Sequence, residues 1–366
     1  HLNRVYGSGK AIAHETDNLF VYDVRYPMEE EPMVSIIIPI KDHVELLKAA
    51  IDSIFEKTTY KHYEIIVLNN NSEKEETFAY LRELVECHEN VRVEDALFEF
   101  NWSKLNNYGM QFAKGDVFVC LNNDVKVIEP EWLTRLVEKA IRSDVGVVGG
   151  LLLYEDNTIQ HAGVVIGMGG WADHVFKGMT PQHYGSPFIS PMVTRNVSAV
   201  TGACLAVSRK TIEKIGGFNE QFIVCGSDIE LALRANKHGL VNIYDPNVKL
   251  YHFESKSRDA SKIPQIDFDL SDKMYKDYRK NGDPYFNRNL DYYCCQPKIR
   301  TSAVLTESDK EEKMLLRRKR ETGLPQLDTN VYEITPFTFR KADYENRRIN
   351  LLVPSINAEH VFGGIS

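Results

Sequence analysis

Three short polar segments follow apolar runs in the first half of the chain, and their residue types could bind a phosphate, a ribose or a metal ion. They are Pro39 to Asp42, Asn69 to Ser72 and Asn122 to Asp124. The runs that lead into them are rich in β-branched and other apolar residues, which is typical of strands buried on both faces. The predicted strands are Val34 to Ile40, Tyr63 to Asn69 and Asp116 to Asn122. Ligands bind outside the carboxyl ends of parallel strands. We therefore expect all three segments to meet at one edge of a sheet and to bind a nucleotide diphosphate.

The third segment, Asn122-Asn123-Asp124, contains a single acidic residue. Mg²⁺ and Mn²⁺ prefer oxygen ligands, and carboxylate is the strongest of them, so Asp124 is the expected metal ligand. Asn122 and Asn123 could offer carbonyl oxygens or a hydrogen bond to ribose, but no charge. The alternative is an Asx turn, which Asn and Asp favour by themselves after a strand. Two other polar strand ends nearby favour the metal site.

A second acidic segment, Ser227-Asp228-Ile229-Glu230, precedes an apolar helical run. Ser-x-x-Glu at this place predicts a capping box, with Ser227 as the N-cap of a helix that runs to about His238. Gly239 is a suitable left-handed stop for that helix. Asp228 would lie in the first turn, where the helix dipole favours an anion.

The elements that must position these residues alternate between strands and helices up to about residue 140, which predicts parallel βαβ units with right-handed crossovers. Strand-like stretches with short connections follow and predict a smaller mixed sheet: Val145 to Leu153, Ile159 to Ile166, Ala199 to Val207, and two short strands within residues 241–255. The expected fold is α/β, with a Rossmann-like, mostly parallel sheet flanked by helices. No glycine-rich dinucleotide or P-loop motif follows the first strand.

The domain organisation is read from changes in composition along the 366 residues. Residues 1–32 are expected to be an extended lead-in, 33–260 the α/β domain, 261–305 a helical extension, and 306–347 a charged linker. Residues 348–366 begin with an apolar run and contain Gly363-Gly364. They are either the first strand of a truncated second α/β domain or a last edge strand of the same domain, and the sequence leaves both open.

The overall composition excludes several classes of protein. A net charge of −8 gives no sign of a nucleic-acid-binding protein. No apolar run is long enough to cross a membrane. Six cysteines without Cys-x-x-Cys spacing make a zinc site unexpected and fit a reducing cytoplasm. The basic run Arg317 to Arg320 could contact anionic lipid at the inner face of the membrane, or be a solvated helix face.

Several segments in this order resemble family 2 glycosyltransferases with the GT-A fold, above all those of bacterial O-antigen and rhamnose-polysaccharide synthesis. The resemblance covers about Met33 to Arg258. It is carried by the segments VSIIIPIKDHVELLKAAIDSI, YEIIVLNNNS, KGDVFVCLNNDVKV, QHAG, SAVTGACLAV, GGFNEQF, SDIELALR and LYHFES. Each of them is weakly specific alone, and their number and order carry the resemblance.

The resemblance implies a site for a metal-bound nucleotide sugar. The family's Asp-x-Asp motif, which binds Mn²⁺ or Mg²⁺, falls on Asn122 and Asp124, and His252 stands where the family has an additional metal ligand. Asn69 replaces an acidic residue that contacts base and ribose, which leaves uridine and thymidine undecided. Further donor contacts are implied for Asn101 and Asn106.

The resemblance also implies the catalytic residue and the sugar pocket. Asp228 is the implied general base, and the segment from Thr201 through Gly202 and Ala203 lines the pocket. Among residues outside the motifs, His161 could contact the sugar, Trp171 could stack on it, and Arg258 could pair with the diphosphate. For each of the three an ordinary packing or surface role is the alternative.

The expected activity is inverting, metal-dependent transfer from a UDP- or dTDP-sugar to a hydroxyl of a lipid-linked bacterial surface glycan, in the cytoplasm. Two other classes are considered. A sugar-1-phosphate nucleotidyltransferase has a similar fold but needs a glycine- and arginine-rich loop where Pro39 to Asp42 stands. A non-catalytic nucleotide- or glycan-binding module would explain Asn122 and Asn69 as losses, but the retained Asp124 and Asp228 argue against it.

Overall fold

The structure is a computed structural model that describes residues 1–18, 21–184, 190–253 and 263–300, and every structural statement below refers to these residues. Within them the α-helices are α1 (Leu2–Tyr6), α2 (Val44–Lys57), α3 (Glu75–Cys87), α4 (Trp102–Phe112), α5 (Trp132–Ala140), α6 (Arg209–Ile215), α7 (Ser227–Lys237) and α8 (Gln265–Asn281). Arg258 and the predicted segments 306–347 and 348–366 lie outside the described residues.

The strands alternate with the helices in the first half and follow one another more closely in the second. They are β1 (Ile12–Glu15), β2 (Tyr22–Arg25), β3 (Val34–Ile40), β4 (Tyr63–Asn69), β5 (Val91–Asp95), β6 (Val117–Leu121), β7 (Val125–Val127), β8 (Val145–Leu153), β9 (Ile159–His161), β10 (Val164–Ile166), β11 (Ala172–His174), β12 (Arg195–Val197), β13 (Cys204–Ser208) and β14 (Val241–His252).

One ten-stranded sheet holds the domain together. Its order is β12-β14-β8-β13-β6-β3-β4-β5, with β7 paired to β14 and β9 to β8. Strands β6, β3, β4 and β5 are parallel, whereas β13 runs antiparallel between β6 and β8. The predicted α/β class is therefore confirmed. The mixed strands extend the same sheet instead of forming a separate smaller one, and only the hairpins β1–β2 and β10–β11 stand apart from it among the described residues.

Helices cover both faces of the sheet, as the apolar runs require. Successive side chains of a strand point to opposite faces. Ile36 and Ile38 of β3 pack with apolar residues of α2, α3 and α5, whereas Ile37 packs with α4 on the other face. The second face continues into a cluster that contains residues of α7 and Tyr275 of α8. Because both faces are buried, these strands lack the alternation of a half-exposed strand.

The three polar segments predicted to meet at one edge do so. Ile40 pairs with Asn69 in the parallel β3–β4 ladder, and the backbone N–H of Asn70 donates to the carbonyl of Ile40 at 2.8 Å. Strand β6 lies beside β3 and ends at Leu121, directly before the Asn122–Asp124 segment. The carboxyl ends of β3, β4 and β6 thus form a single edge.

Four boundaries differ from the sequence prediction in the second half. Strand β7 was not expected, because the polar triplet before it predicts a turn leading to a helix. Residues 241–252 form one strand rather than two, because a register irregularity between Asp245 and Lys249 absorbs the Pro246 turn signal. Gly163, at φ 96°, splits the predicted strand 159–166 into β9 and β10. Of the stretch Ala199 to Val207, only β13 is a strand.

The first 32 residues are not simply extended. They form α1 and the β1–β2 hairpin, and the second strand of the hairpin is attached to α5 by ion pairs. Arg135 binds Asp23 at 2.8 Å, and Arg25 binds Glu138 at 2.9 Å. Lys139, which is 1 % exposed, joins Glu138 to Asp245 of β14. In the described part of the chain, no helix is long and apolar enough to cross a membrane.

Candidate active site

A cavity of about 200 Å³ lies where the carboxyl-end segment of β6 meets the start of α7 and the end of β14. Six of the predicted site residues line it. Its walls are formed by Trp102, Asn122, Gln160, His174, Thr201, Gly202, Ala203, Val224, Cys225, Gly226, Ser227, Asp228, Ile229 and His252. Asn122, Asp228 and His252, which are far apart in sequence, therefore share one space.

Strand pairing brings Asp124 and His252 together. His252 pairs with Val125 in the antiparallel β7–β14 ladder, and the N–H of Phe253 donates to the carbonyl of Asp124 at 2.8 Å. As a result His252 Nε2 lies 3.2 Å from Asp124 Oδ1 and 3.1 Å from Asn122 Nδ2. The unforeseen strand β7 is thus the element that assembles the predicted metal site.

Gln160 fixes which ring nitrogen of His252 faces Asp124. Its Oε1 lies 2.5 Å from His252 Nδ1. An amide oxygen only accepts, so Nδ1 carries the hydrogen and Nε2 presents a lone pair. That lone pair and the carboxylate oxygen of Asp124 converge, which is the arrangement of two ligands of one cation. The donor set fits a hard or borderline divalent ion.

The protein side chains that could bind an ion would leave most of its coordination sphere to other ligands. The described residues hold no group of three or more His, Cys, Asp or Glu side chains that could bind a metal ion. Mg²⁺ is commonly bound through one or two carboxylates together with substrate phosphates. Asp124 and His252 would therefore hold the ion jointly with a diphosphate, and Asn122 would contribute no charge.

Asp228 lies in the first turn of α7 and is half-buried at the cavity. Its Oδ2 accepts from the backbone N–H of Gly202 at 2.7 Å, and its Oδ1 accepts from the N–H of Ile229 at 2.8 Å. These bonds fix the carboxylate at the wall. Each oxygen keeps a further lone pair, so the group can still accept a proton from a bound hydroxyl.

The predicted capping box of α7 is wrong. The N-cap is Gly226 in the left-handed region, and a glycine has no side chain that could cap the helix. Ser227 is already the first helical residue, and the carboxylate of Glu230 pairs with Arg234 at 2.7 Å. Gly226 adopts φ 95° at little cost, and this turn directs Asp228 toward Gly202.

Gly202 is required by packing. A Cβ at this position would lie 2.5 Å and 2.6 Å from two ring carbons of Trp102, and 3.4 Å from Asp228 Cβ. The ring of Trp102 also packs edge-on against Phe218 at 4.9 Å, so it has little freedom to move. The glycine allows the 201–203 segment to lie flat on the ring while its N–H reaches Asp228.

Gly202→Ala is expected to lower the free energy of unfolding by about 1–3 kcal/mol, because overpacking of a buried contact costs that much. It should also lower transfer activity, since the amide that holds Asp228 must shift. Chemical denaturation measures the first effect. In the Trp102→Leu background the same substitution should cost clearly less, because the smaller side chain leaves room. Equal costs in both backgrounds would show that the contact with Trp102 is not the cause.

The segments after β3 and β4 hold each other in place. Asn69 is buried, and its Nδ2 donates to Asp95 at 2.8 Å. Asp42 Oδ1 accepts from the N–H groups of Glu73 and Lys74, each at 3.0 Å. Desolvation raises the pKa of Asp42, but these hydrogen bonds outweigh it and hold the pKa below its ordinary value. Asp42 and Asn69 thus shape the predicted donor edge, and Pro39 lies next to it in β3.

Nine of the predicted site residues in the described part of the chain do not line the cavity. Five belong to the strand-end segments: Pro39, Asp42, Asn69, Asn123 and Asp124. The other four lie elsewhere. Asn101 is the N-cap of α4, where its side chain accepts from Lys104 N–H at 2.8 Å. Asn106 is completely buried and donates to the carbonyl of Trp102. Trp171 is exposed but packs edge-on against Phe268. In this structure none of these side chains lines the space around Asp228.

His161 is the fourth residue, and it is completely buried. Desolvation, together with the nearby His174, Arg195 and His252, lowers its pKa well below the ordinary value. The neutral ring packs edge-on against His174 at 4.7 Å. A direct sugar contact by His161 does not fit this burial. Its sequence neighbour Gln160 and its packing partner His174 line the cavity instead.

Sequence reasoning missed two functional candidates, Gln160 and Trp102. Gln160 lies within the QHAG segment, but the histidine was the more obvious residue there. Trp102 opens α4 directly after Asn101 and forms part of the cavity wall. Asp95, which ends β5 beside Asn69, was likewise not singled out. Only the pairing of β4 with β5 shows that this exposed carboxylate stands at the donor edge.

Comparison with known proteins supports the family resemblance. Residues 35–216 match the family model of glycosyl transferase family 2. The O-antigen biosynthesis protein RfbC of Myxococcus xanthus is 43 % identical over 272 residues, which are 74 % of this chain and 21 % of that protein. The uncharacterized protein y4gI of Sinorhizobium fredii is 38 % identical over 299 residues, which are 78 % of this chain and 33 % of that protein.

The structure of GalNAc-T7 with UDP, GalNAc and Mn²⁺ superimposes with a TM-score of 0.56 at 18 % identity, covering 72 % of this chain and 53 % of that one. The fold is therefore the GT-A fold. Residues 35–216 belong to glycosyl transferase family 2, as the resemblance predicted. The chain spans about a fifth and a third of the length of the two curated relatives.

Proposed function

We propose that this domain transfers a sugar, with inversion, from a UDP- or dTDP-sugar to a hydroxyl group of a lipid-linked bacterial surface glycan. The observation that carries the proposal is that Asp228 and His252 line one cavity, with Asp124 Oδ1 3.2 Å from His252 Nε2. A transferase that activates a hydroxyl group needs a holder for the leaving diphosphate and a base for the attacking group. The O-antigen name of the Myxococcus relative supports the class of acceptor.

Asp124 and His252 are the residues that would hold Mn²⁺ or Mg²⁺, and a bound ion would offset the charge that develops on the leaving diphosphate. The backbone N–H groups of Gly202 and Ile229 both donate to Asp228 and hold its carboxylate at the cavity wall. Asn122 Nδ2 lies 3.1 Å from His252 Nε2, and because that nitrogen has one lone pair, a hydrogen bond from Asn122 would be exchanged for the bond to the ion. These residues hold the reactants and leave the chemistry of proton transfer to Asp228.

In the proposed reaction the acceptor hydroxyl group gives its proton to the carboxylate of Asp228. Its oxygen forms the new bond to the anomeric carbon, and the bond from that carbon to the diphosphate oxygen breaks. The nucleoside diphosphate leaves with the electron pair. Attack from the side opposite the diphosphate inverts the anomeric centre. Asp228 and His252, the proposed base and a proposed metal ligand, both line the cavity.

A donor screen tests the proposal. The described domain within the full chain is incubated with Mn²⁺ and a panel of UDP-, dTDP-, GDP- and CMP-sugars, and release of the free nucleoside diphosphate or monophosphate is measured. We expect slow hydrolysis of one UDP- or dTDP-sugar. Asp228→Asn should remove it. Hydrolysis limited to GDP- or CMP-sugars would contradict the proposed donor class. If no nucleotide sugar is hydrolysed and no nucleotide binds, the protein is not a transferase of this kind.

A further inference from the structure

Helix α8 reaches the candidate active site through one buried carboxylate. Asp267 is completely buried, yet among the described residues no lysine, arginine or histidine pairs with it. Its Oδ1 accepts from the N–H of Ile223 at 2.8 Å. Its Oδ2 accepts from the N–H groups of Val224 and Cys225 at 2.8 Å and 3.0 Å. Three consecutive backbone amides thus converge on one side chain.

Burial of the Asp267 carboxylate without a cation costs free energy, and what it provides is a fixed conformation of the loop. A buried carboxylate without a cation loses its hydration, and only charge-assisted hydrogen bonds and the start of α8, where Asp267 lies, offset that loss. For stability alone, well-packed apolar residues would serve equally well or better. What a carboxylate does, and an apolar side chain cannot, is to hold three successive amides in one orientation.

The held segment, residues 222–225, is called the cavity loop here. Its other side is bound by α4: the N–H of Trp102 donates to the carbonyl of Ile223 at 2.8 Å, and Ser103 Oγ donates to that of Phe222 at 2.7 Å. The loop is therefore held between α4 and α8. Val224 and Cys225 line the same cavity as Asp228, which follows Cys225 by three residues.

A second contact of α8 supports the same connection. Gly226, which links the cavity loop to α7, lies so close to α8 that a Cβ would meet Ser271 Oγ at 3.0 Å and the ring of Phe222 at 2.9 Å. The left-handed turn at Gly226 is therefore enclosed by the loop and by α8. If α8 or Asp267 moved, the cavity loop and the turn at Gly226 would move with it. Asp228 follows Gly226 by two residues and would therefore change its position.

We propose that Asp267 is a positioning residue for the transfer reaction, which acts by holding the amides of the cavity loop and thereby the direction of Asp228. This inference rests on the proposed function for its catalytic part. The structural part, that Asp267 fixes the cavity loop, does not depend on the proposed function. A misplacement of a reacting group by about 1 Å can lower a rate by about a hundredfold, so a modest shift of the loop is sufficient.

The test compares Asp267→Asn with the matched control Asp269→Asn, which makes the same change at an exposed position two residues further along α8. Hydrogen exchange measured by mass spectrometry reports the amides of residues 223–225. Steady-state kinetics with the donor found in the screen report kcat and donor KM. An amide at position 267 keeps one acceptor oxygen and turns an NH₂ group toward an N–H, so at least one of the three bonds is lost.

For Asp267→Asn we expect exchange of the loop amides to accelerate by about tenfold and kcat to fall by about tenfold to a hundredfold, with donor KM changed less than about threefold. Asp269→Asn should match the parent protein. Asp267→Glu keeps the charge and should recover part of kcat. It also provides the test if the Asn variant does not fold.

Two results would overturn the inference. Unchanged exchange in the loop would show that Asp267 does not hold it. Faster exchange with unchanged kcat would show that the order of the loop does not matter for transfer. If the parent protein transfers no sugar at all, the proposed function fails, whereas the exchange measurement still decides whether Asp267 fixes the cavity loop.

Discussion

Asp228→Asn is expected to lower kcat for transfer by about 10²–10⁴, the usual contribution of a general base, while nucleotide binding persists. The substitution keeps the size of the side chain and one acceptor oxygen for the N–H of Gly202. It replaces the oxygen that accepts from the N–H of Ile229, and it removes the ability to take a proton from the acceptor hydroxyl group. Initial rates at saturating donor measure kcat, and the melting temperature with nucleotide reports binding.

The matched control is Glu230→Gln, which makes the same change from carboxylate to amide one half-turn further along α7. Glu230 pairs with Arg234 and does not line the cavity, so this variant should keep nearly full activity. Full residual activity in Asp228→Asn would exclude Asp228 as the base. Loss of nucleotide binding in that variant would instead show that Asp228 mainly supports the 201–203 segment through Gly202.

The strands that hold the donor edge could be predicted to the residue, because their sequences carry one unambiguous signal. Val34–Ile40 and Tyr63–Asn69 are continuous β-branched or apolar runs that end in polar residues, and the structure gives the same bounds. Burial on both faces produces such runs without reference to distant parts of the chain. The edge that they form could then be inferred from the general rule for parallel sheets.

The second half was harder because its strands depend on partners far away in sequence. β7 has three residues, and its existence depends on pairing with β14, more than a hundred residues later. Its local sequence carries no strand signal that outweighs the turn signal of Asn122-Asn123-Asp124. Likewise the Asp-Pro-Asn turn signal in β14 is overridden by pairing with β8 on both sides of an irregularity.

The candidate site was predictable where the family resemblance assigns a position and not where burial decides. Asp228 and His252 fall on the positions that the resemblance implies for the base and for a metal ligand, whereas a first-turn Asp alone is already explained by the helix dipole. His161 and Asn106 are of equally suggestive types but are completely buried. Asp267 gave no signal, since a single Asp in a polar helix is ordinary until its three amide partners are seen.

UDP or dTDP is expected to raise the melting temperature only when Mn²⁺ or Mg²⁺ is present. Binding at about a hundred times Kd stabilises the folded state by about 2.7 kcal/mol, which corresponds to about 5 °C or more for a domain of this size. The ion is needed because the described protein ligands, Asp124 and His252, carry only one negative charge toward a diphosphate. Scanning fluorimetry with nucleotide, ion and chelator measures the shift.

Asp124→Asn and His252→Ala should each remove the ion-dependent part of the shift. The exposed Asp144, which pairs with Arg142, provides the matched control Asp144→Asn, and that variant should keep the whole shift. Asn122→Asp restores a second carboxylate beside His252 and should reduce the concentration of ion that gives half of the shift, because added ligand charge tightens cation binding.

The Asn122→Asp variant also separates an active site with a reduced metal motif from a non-catalytic binding module. If both the parent protein and this variant show an ion-dependent shift, the single charge of Asp124 is sufficient and Asn122 only weakens the site. A shift in the variant alone would mean that the asparagine has abolished metal binding, and the proposed metal-dependent transfer would then be wrong for this chain. A shift with nucleotide alone, unaffected by chelator, would equally exclude Asp124 and His252 as holders of a diphosphate-bound ion.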